Sequence, residues 1–197
     1  MSIKPLERKR VSPEQSRAAA MAAARDLLKR EGAAAVTLQA VARRVGRTHA
    51  NLLHHFGSAA GLQRALAEDI AQTVSASIEG AIQQRRDGKG TERDVVDAMF
   101  EAFRREGAGE LIGWIALTRQ REALEPVIAT IERVIRMMRA LGDTRPVDAM
   151  TMGLTLLAIG DSLAGEEVAR ACGLDREAVR EVAVTQIEGL AGAPLRD

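Results

Sequence analysis

Residues 37–56, TLQAVARRVGRTHANLLHHF, contain two short stretches in which apolar residues recur three or four positions apart. That spacing predicts two short amphipathic helices. Thr37 and Thr48 stand immediately before them, where a hydroxyl can accept hydrogen bonds from free backbone N–H groups. Gly46 lies between the stretches, at the position of a tight turn. Two short helices joined by a three- or four-residue turn containing glycine form a helix-turn-helix, so this part of the chain has few alternative folds.

The remainder of the sequence predicts an all-α protein. Ala, Leu, Arg and Glu are abundant, tyrosine is absent, and no stretch alternates apolar and polar residues for long. The segment SPEQ (12–15) forms a capping box at the start of a first helix, which Gly32 ends. A long helix is expected over residues 58–86. Further helices are expected near residues 92–106, 109–118, 121–140, 146–164 and 175–191, with breaks at Gly107, Gly142, Gly165 and Gly173.

The cellular compartment follows from three features of the sequence. A single cysteine, Cys172, excludes an internal disulfide bond and suits a reducing cytoplasm. The first ten residues, MSIKPLERKR, lack the apolar segment of a secretory signal. Charged residues interrupt the long windows, so no apolar run approaches the roughly 20 residues of a membrane span. We therefore expect a cytoplasmic protein without a membrane segment.

The net charge of +1 is unevenly divided along the chain. Residues 1–64 contain 12 Lys/Arg and 4 Asp/Glu, a net charge of +8, whereas residues 65–197 contain 16 and 23, a net charge of −7. A basic N-terminal part beside an acidic remainder is typical of a protein in which only the basic part contacts a polyanion. An ordinary solvated surface is the alternative. The same two interpretations apply to the basic arm of residues 1–11, which contains Lys4, Arg8, Lys9 and Arg10.

The second helix of a helix-turn-helix enters the major groove of DNA with its N-terminal residues first. Arg47 can pair with guanine edges or phosphate, Asn51 can bond adenine, and the small Ala50 allows close approach. Thr37 offers a hydroxyl beside free N–H groups, an arrangement that anchors phosphate. The predicted DNA-binding residues are Thr37, Arg43, Arg44, Arg47, Thr48, His49, Ala50, Asn51 and His54.

A metal site is the competing interpretation of this histidine-rich stretch. His54 and His55 are adjacent and therefore point about 100° apart on a helix. His49 precedes them by five and six residues, whereas two ligands on one helical face need a spacing of three or four. No acidic or cysteine ligand lies within the stretch to complete a tetrahedral site. We therefore expect no metal and no cofactor.

Residues 20–66 resemble the DNA-binding domain of the TetR family of bacterial transcriptional regulators. AMAAARDLLKREG has the pattern of the family's first helix, TLQAVARRVGRT that of the second helix and turn, HANLLHHF that of the recognition helix, and GSAAGLQRAL that of the start of the fourth. The resemblance implies a three-helix DNA-binding domain (residues 12–57) after the flexible arm (1–11). It implies a helical ligand-binding and dimerisation bundle over residues 58–197.

Two positions depart from the family pattern. Leu53 stands where the recognition helix usually has a tyrosine, so a phosphate-binding hydroxyl is missing. Ala59 replaces the lysine that usually follows the serine at the start of the fourth helix. Each lost cationic contact with phosphate lowers DNA affinity and its salt dependence. Arg47, at a position that is commonly apolar, and the basic arm can compensate.

The C-terminal part contains two stripes of small and apolar residues that the resemblance assigns to a dimer interface. Paired with their symmetry mates, two such helices form a four-helix interface. The same stripes could instead face the core of one protomer. The predicted interface residues are Ala149, Gly153, Leu157, Gly160 and Ala164 in the first stripe, and Val179, Val182, Ala183, Gln186, Ile187 and Leu190 in the second.

The bulky residues of the middle helices are candidates for a ligand pocket, with the core as the alternative location. They are Met99, Phe103, Trp114, Ile115, Met137 and Met138. Because the chain has few aromatic residues, a flat aromatic ligand would find few stacking partners. We therefore expect an aliphatic or acyl-like effector.

The sequence favours a homodimeric transcriptional regulator, a repressor by resemblance, that binds a near-palindromic double-stranded operator and is released by a small molecule. A helical adaptor protein that has lost DNA binding is the alternative. An enzyme is not expected and no catalytic residue is predicted, because the chain has no Gly-rich phosphate loop, no Glu-x-x-His pair and no serine nucleophile motif.

Overall fold

The computed structural model describes residues 12–190, and all regular secondary structure in that range is helical. The all-α prediction is confirmed. The basic arm, with Lys4, Arg8, Lys9 and Arg10, lies outside the described residues. The helices are α1 (Pro13–Glu31), α2 (Leu38–Arg44), α3 (His49–Phe56), α4 (Ala59–Arg86), α5 (Glu92–Glu106), α6 (Ala108–Leu117), α7 (Glu125–Ala140), α8 (Val147–Cys172) and α9 (Ala178–Leu190), with 3₁₀ turns at Ala33–Ala35 and Arg121–Leu124.

Local capping explains where most of these helices begin. The hydroxyl of Ser12 accepts a hydrogen bond from the N–H of Gln15, and the Gln15 side chain accepts one from the Ser12 N–H, as in the predicted capping box. Thr37, Thr48, Ser58 and Thr91 each accept a hydrogen bond from the N–H three residues later. These contacts satisfy N–H groups that have no partner inside the helix.

The helices share one continuous apolar core. Leu28, Val41 and Leu52 are at most 1% exposed and bring α1, α2 and α3 together. The 28-residue helix α4 continues this core into the rest of the chain and packs against α5 and α7. Phe100 of α5 and Ile115 of α6 are almost fully buried within the same cluster. The apolar periodicity of the sequence therefore corresponds to real burial.

Polar contacts also join α1 to the helices that follow α3. Arg25 forms an ion pair with Asp69 of α4 and donates a hydrogen bond of 2.8 Å to Glu106 of α5. The backbone N–H of Ala33 donates a hydrogen bond of 2.8 Å to the carboxylate of Glu110 in α6. The hydrogen bond from Arg25 to Asp69 raises the pKa of the guanidinium above its usual range. The first three helices are thus attached to α4, α5 and α6 by charged groups as well as by the core.

Helix α8 is longer than the sequence predicted. We expected Gly165 to end it near residue 164, but the helix continues to Cys172. Asp161 lies four residues earlier in the same helix and forms an ion pair with Arg176, and a Cβ atom at position 165 would overlap its carboxylate. Gly165 therefore makes room for the Asp161 carboxylate and does not break the helix. The intrinsic helix propensity of glycine is about 1 kcal/mol less favourable than that of alanine.

Helix α8 also corrects the expectation that charges interrupt every long apolar window. Among the described residues, it alone is long and apolar enough, by length and composition, to cross a membrane. In this structure it packs against α5, α6, α7 and α9. Such a helix is also found inside helical bundles, so its composition is a weak indication of a membrane span.

Candidate nucleic-acid interface

The turn between α2 and α3 has the geometry that the sequence predicted. Gly46 has a φ of +64°, a left-handed conformation that side chains disfavour. The N–H of Arg47 donates a hydrogen bond of 2.9 Å to the carbonyl of Ala42, which closes the turn. The hydroxyl of Thr48 then accepts a hydrogen bond of 3.2 Å from the N–H of Asn51 and starts α3. Residues 38–56 therefore form a helix-turn-helix.

One side of α3 is buried and the opposite side is exposed. Leu52 is 1% exposed and Phe56 is 8% exposed, and both contact the core. The outward face of α3 consists of the exposed residues His49, Ala50, Leu53 and His54. They form a single face because positions 50 and 53 are three apart, whereas 49 and 53, and 50 and 54, are four apart. Three of these four residues were among the predicted DNA-binding residues, and Leu53 was not.

The three arginines around the turn differ in their surroundings. Arg43 and Arg47 are exposed, and neither forms an ion pair with an acidic side chain within residues 12–190. Arg44 forms ion pairs with Asp26 and Glu31, and the hydrogen bonds to these two carboxylates raise its pKa. The predicted phosphate contact of Arg44 would therefore require these pairs to open, whereas Arg43 and Arg47 can meet an anion directly.

Asn51 and Thr37 are less available than the sequence suggested. Asn51 is half-buried, and its Oδ1 atom lies 3.5 Å from the hydroxyl of Ser16 in α1. Its amide therefore lies beside α1 rather than on the outward face. Thr37 is exposed, but its hydroxyl accepts a hydrogen bond of 3.1 Å from the N–H of Ala40. Both remain predicted DNA contacts, since each keeps some capacity for a further hydrogen bond.

The structure adds Arg17 to the basic surface near α3. Arg17 is exposed, and its guanidinium carbon lies 5.3 Å from the centre of the Phe56 ring, a cation–π arrangement. This contact could not be predicted from the sequence, because the two residues lie 39 positions apart. Within the described part of the chain, no group of three His, Cys, Asp or Glu side chains is placed to hold a metal ion.

A cavity of about 100 Å³ lies among α4, α5, α6, α7 and α8. Three of the predicted ligand residues line it, namely Met99, Phe103 and Met138. Trp114, Ile115 and Met137 do not line it. Ile115 is completely buried in the core. The lining is mostly aliphatic, as an apolar ligand would require.

One end of the cavity carries charged groups. Arg145 donates a hydrogen bond of 2.6 Å to Glu92, and Arg85 lies 2.7 Å from the same carboxylate oxygen. Arg145 also binds Asp143 through several hydrogen bonds, which hold the pKa of Asp143 below its usual range and raise that of Arg145. Arg85, Glu92 and Arg145 are the charged residues that line the cavity, and the hydroxyl residues Ser75, Thr130, Thr151 and Thr155 line it as well.

Helices α8 and α9 expose a surface of apolar side chains. Met152, Leu156, Leu163 and Val182 are each at least 50% exposed, and of these only Val182 was predicted. Among the other predicted interface residues, Gly160, Ala164 and Gln186 are exposed, and Ala149, Gly153, Leu157, Val179 and Leu190 are half-buried. Ala183 and Ile187 are at most 3% exposed within one protomer. Those two assignments are corrected, because a spacing of four positions places both residues on the inner face of α9.

Comparisons with known proteins agree with this geometry. Residues 20–66 match the model of the family described as bacterial regulatory proteins, tetR family. None of the curated proteins compared with the chain matches it significantly.

Several solved structures share the fold. A Rhodococcus sp. protein assigned to the TetR family of transcriptional regulators is 16% identical, with a TM-score of 0.65 over 91% of this chain and 100% of that one. A transcriptional regulator from Rhodococcus sp. Rha1 is 16% identical, with a TM-score of 0.66 over 93% and 100%. BioQ from Mycobacterium smegmatis is 21% identical, with a TM-score of 0.59 over 89% and 97%. Residues 20–66, which include the helix-turn-helix, are therefore similar to the tetR family of bacterial regulatory proteins, and the solved structures show the same fold over most of the chain.

Proposed function

We propose that this protein is a cytoplasmic, homodimeric transcriptional repressor that binds a near-palindromic DNA operator and is released by a small-molecule effector. The observation that carries the proposal is the outward face of α3, preceded by Arg43 and Arg47, which are exposed and form no ion pair within residues 12–190. A short helix that presents uncharged side chains, with two exposed cations just before its first residue, fits a groove between phosphate backbones. The net charge of +8 over residues 1–64 favours the same partner.

A dimer is supported by the exposed surface of α8 and α9. Four large apolar side chains there, Met152, Leu156, Leu163 and Val182, are half or more exposed in one protomer. A Cβ atom at Gly153 or Gly160 would meet no other described atom of the protomer within 4 Å. Such open, small positions beside large apolar ones allow the helix of a second copy to approach closely. Two recognition helices related by two-fold symmetry would match two half-sites of an operator.

An effector site is supported by the aliphatic cavity. At about 100 Å³ it is smaller than the roughly 300–1,000 Å³ of typical ligand pockets, so an effector would have to widen it. Phe103 of α5 and Ala108 of α6 line the cavity. Glu106, between them in the sequence, binds Arg25 of α1. Glu110, two residues after Ala108, binds the 3₁₀ turn that follows α1. Widening would therefore shift the groups that hold the first three helices. A ligand that favours the widened state would disfavour the DNA-bound one.

Replacing Arg47 with alanine is expected to weaken DNA binding about tenfold or more, because a cation at the start of the recognition helix is lost. The measurement is a titration of a fluorescent duplex, selected from random-sequence DNA by the full-length protein, over a series of salt concentrations. A phosphate contact would also reduce the salt dependence by about one unit per protomer. Sedimentation of the complex gives the number of protomers bound.

The matched control is Arg170→Ala, which removes the same charge from the exposed far part of α8. It should leave both affinity and salt dependence unchanged. Equal effects of the two substitutions would contradict the assignment of α3 as the recognition helix, and a complex containing one protomer would contradict the proposed dimer.

The effector class can be tested by thermal unfolding. Decanoate at saturating concentration is expected to raise the Tm by about 2 °C or more, because binding to the folded state alone stabilises it. The flat 2-naphthoate, of similar carbon number, should raise it less. Met138→Trp fills the cavity and should abolish the decanoate shift, whereas the neighbouring Met137→Trp should retain it. A larger shift with 2-naphthoate would refute the aliphatic assignment.

A helical adaptor protein without DNA binding is the second candidate, favoured by the absence of a hydroxyl at Leu53 and of a cation at Ala59. The two candidates differ in one result. Failure of the full-length protein to enrich any sequence from random duplex DNA, even at low salt, would favour the adaptor.

A further inference from the structure

Leu53 has unusual surroundings for a leucine. It is 43% exposed at the centre of the outward face of α3, whereas the adjacent Leu52 is 1% exposed. Within residues 12–66 it is the only large apolar side chain that is exposed. An isolated exposed leucine is common on protein surfaces. This one, however, lies in the middle of the helix that is proposed to enter the major groove.

The hydrogen-bonding side chains of the outward face are those of His49 and His54, and Leu53 itself offers none. His49 and His54 contribute imidazoles, and Ala50 contributes a methyl group. The amide of Asn51, which could recognise adenine, lies half-buried beside Ser16. The cations Arg43 and Arg47 lie outside this face, before α3 begins. A base edge directly opposite Leu53 would therefore meet aliphatic carbon.

The major groove offers one apolar group that matches such a surface. The C5 methyl group of thymine projects into the groove, and the other bases present donors and acceptors there. A leucine opposite a phosphate or a cytosine amino group would desolvate a polar group without giving it a hydrogen-bond partner. A leucine opposite a thymine methyl group removes apolar surface from water on both molecules.

We propose that Leu53 is a specificity-determining residue that recognises the 5-methyl group of a thymine in each operator half-site. This assignment rests on the proposed DNA-binding function and specifies the base that it selects. Recognition at this position depends on a methyl contact and involves no hydrogen bond from the protein.

The test uses uracil, which pairs with adenine as thymine does but lacks the methyl group. A preferred duplex is first selected from random-sequence DNA by the full-length protein. Each thymine is then replaced by uracil, in both half-sites together, and the Kd of each duplex is measured. At one position per half-site, we expect uracil to weaken binding about threefold to fivefold for each methyl group removed.

The Leu53→Ala variant connects the effect to this side chain. It should bind the thymine duplex more weakly than the wild type and should bind the thymine and uracil duplexes equally. The matched variant Leu117→Ala truncates an exposed leucine outside the helix-turn-helix and should keep the wild-type affinity for both duplexes and the preference for thymine. Because Leu53 is exposed, its replacement should leave the Tm within about 1–2 °C of the wild type.

The outcomes separate this inference from the proposed function. Sequence-selective binding with no effect of any uracil substitution would refute the methyl contact. A thymine preference that persists in Leu53→Ala would refute its assignment to Leu53. Failure to enrich any duplex would refute the DNA-binding function itself and the inference with it.

Discussion

Replacing Gly61 with alanine is expected to lower the free energy of unfolding by about 3 kcal/mol and to abolish DNA binding. Gly61 lies in the first turn of α4, where its N–H donates a hydrogen bond of 2.9 Å to the Ser58 cap. A Cβ atom there would overlap the carbonyl oxygen of Phe56, the last residue of α3. Because the obstacle is backbone, relief requires α3 to move relative to α4. That movement would displace the outward face of the recognition helix.

Gly80 provides the control within the same helix. A Cβ atom at Gly80 would meet no described atom within 4 Å, so Gly80→Ala should stabilise the protein by about 0.5–1 kcal/mol through helix propensity. Urea denaturation of both variants measures the two free energies, and a duplex titration measures DNA affinity. If Gly61→Ala is as stable as the wild type, the close contact between α3 and α4 is not present in solution.

Replacing Arg176 with methionine is expected to destabilise the protein by about 3–5 kcal/mol, the largest effect that we expect for a change at an ion pair. The Asp161 side chain is 2% exposed, and Arg176 binds it through hydrogen bonds of 2.9 and 3.0 Å. Arg176 also donates a hydrogen bond of 2.8 Å to the Asp161 carbonyl. Without Arg176, a buried carboxylate would remain without its partner. The connection between α8 and α9 would loosen, and the proposed dimer surface with it.

Two further variants test this explanation. The double variant Asp161→Asn, Arg176→Met should recover part of the lost stability, because no unpaired buried charge remains. Arg170→Met breaks the pair with Glu166 on the same helix, whose side chains are 70% and 60% exposed, and should change the stability by less than about 0.5 kcal/mol. Urea denaturation of the four proteins provides the comparison. Equal losses for Arg176→Met and Arg170→Met would show that burial of Asp161 has no energetic role.

The sequence predicted those parts of the structure that depend on neighbouring residues. Thr37, Thr48 and Ser12 cap helices as expected, because a cap needs only the N–H groups that follow it. The helix-turn-helix was predicted for the same reason, since its turn and both its helices are formed by one short continuous segment. Contacts between distant segments could not be predicted. The contacts of Arg25 with Asp69 and Glu106, which lie 44 and 81 positions away, are examples.

The candidate site shows the same division. Periodicity correctly separated the buried Leu52 and Phe56 from the exposed residues of α3. It could not show that Arg44 binds Asp26 and Glu31, which lie 18 and 13 positions away. In the cavity, Met99 and Phe103 line the space because they share the inner side of α5. The sequence does not show which side of α6 faces the cavity. It therefore could not separate Leu111 and Ile112, which line the cavity, from Trp114 and Ile115, which do not.

The attachment of α1 has a consequence for protein engineering. Leu28 packs against the position of Gly107, Arg25 binds both Asp69 and Glu106, and Glu110 accepts a hydrogen bond from Ala33. These contacts of α1 and the turn after it therefore depend on specific side chains of α4, α5 and α6, which another helical bundle would not supply. A chimera that grafts the first three helices onto another regulator would need the residues at positions 69, 106, 107 and 110 as well. Interchange of DNA-binding segments between regulators is thus limited by the junction, whatever the operator that each segment recognises.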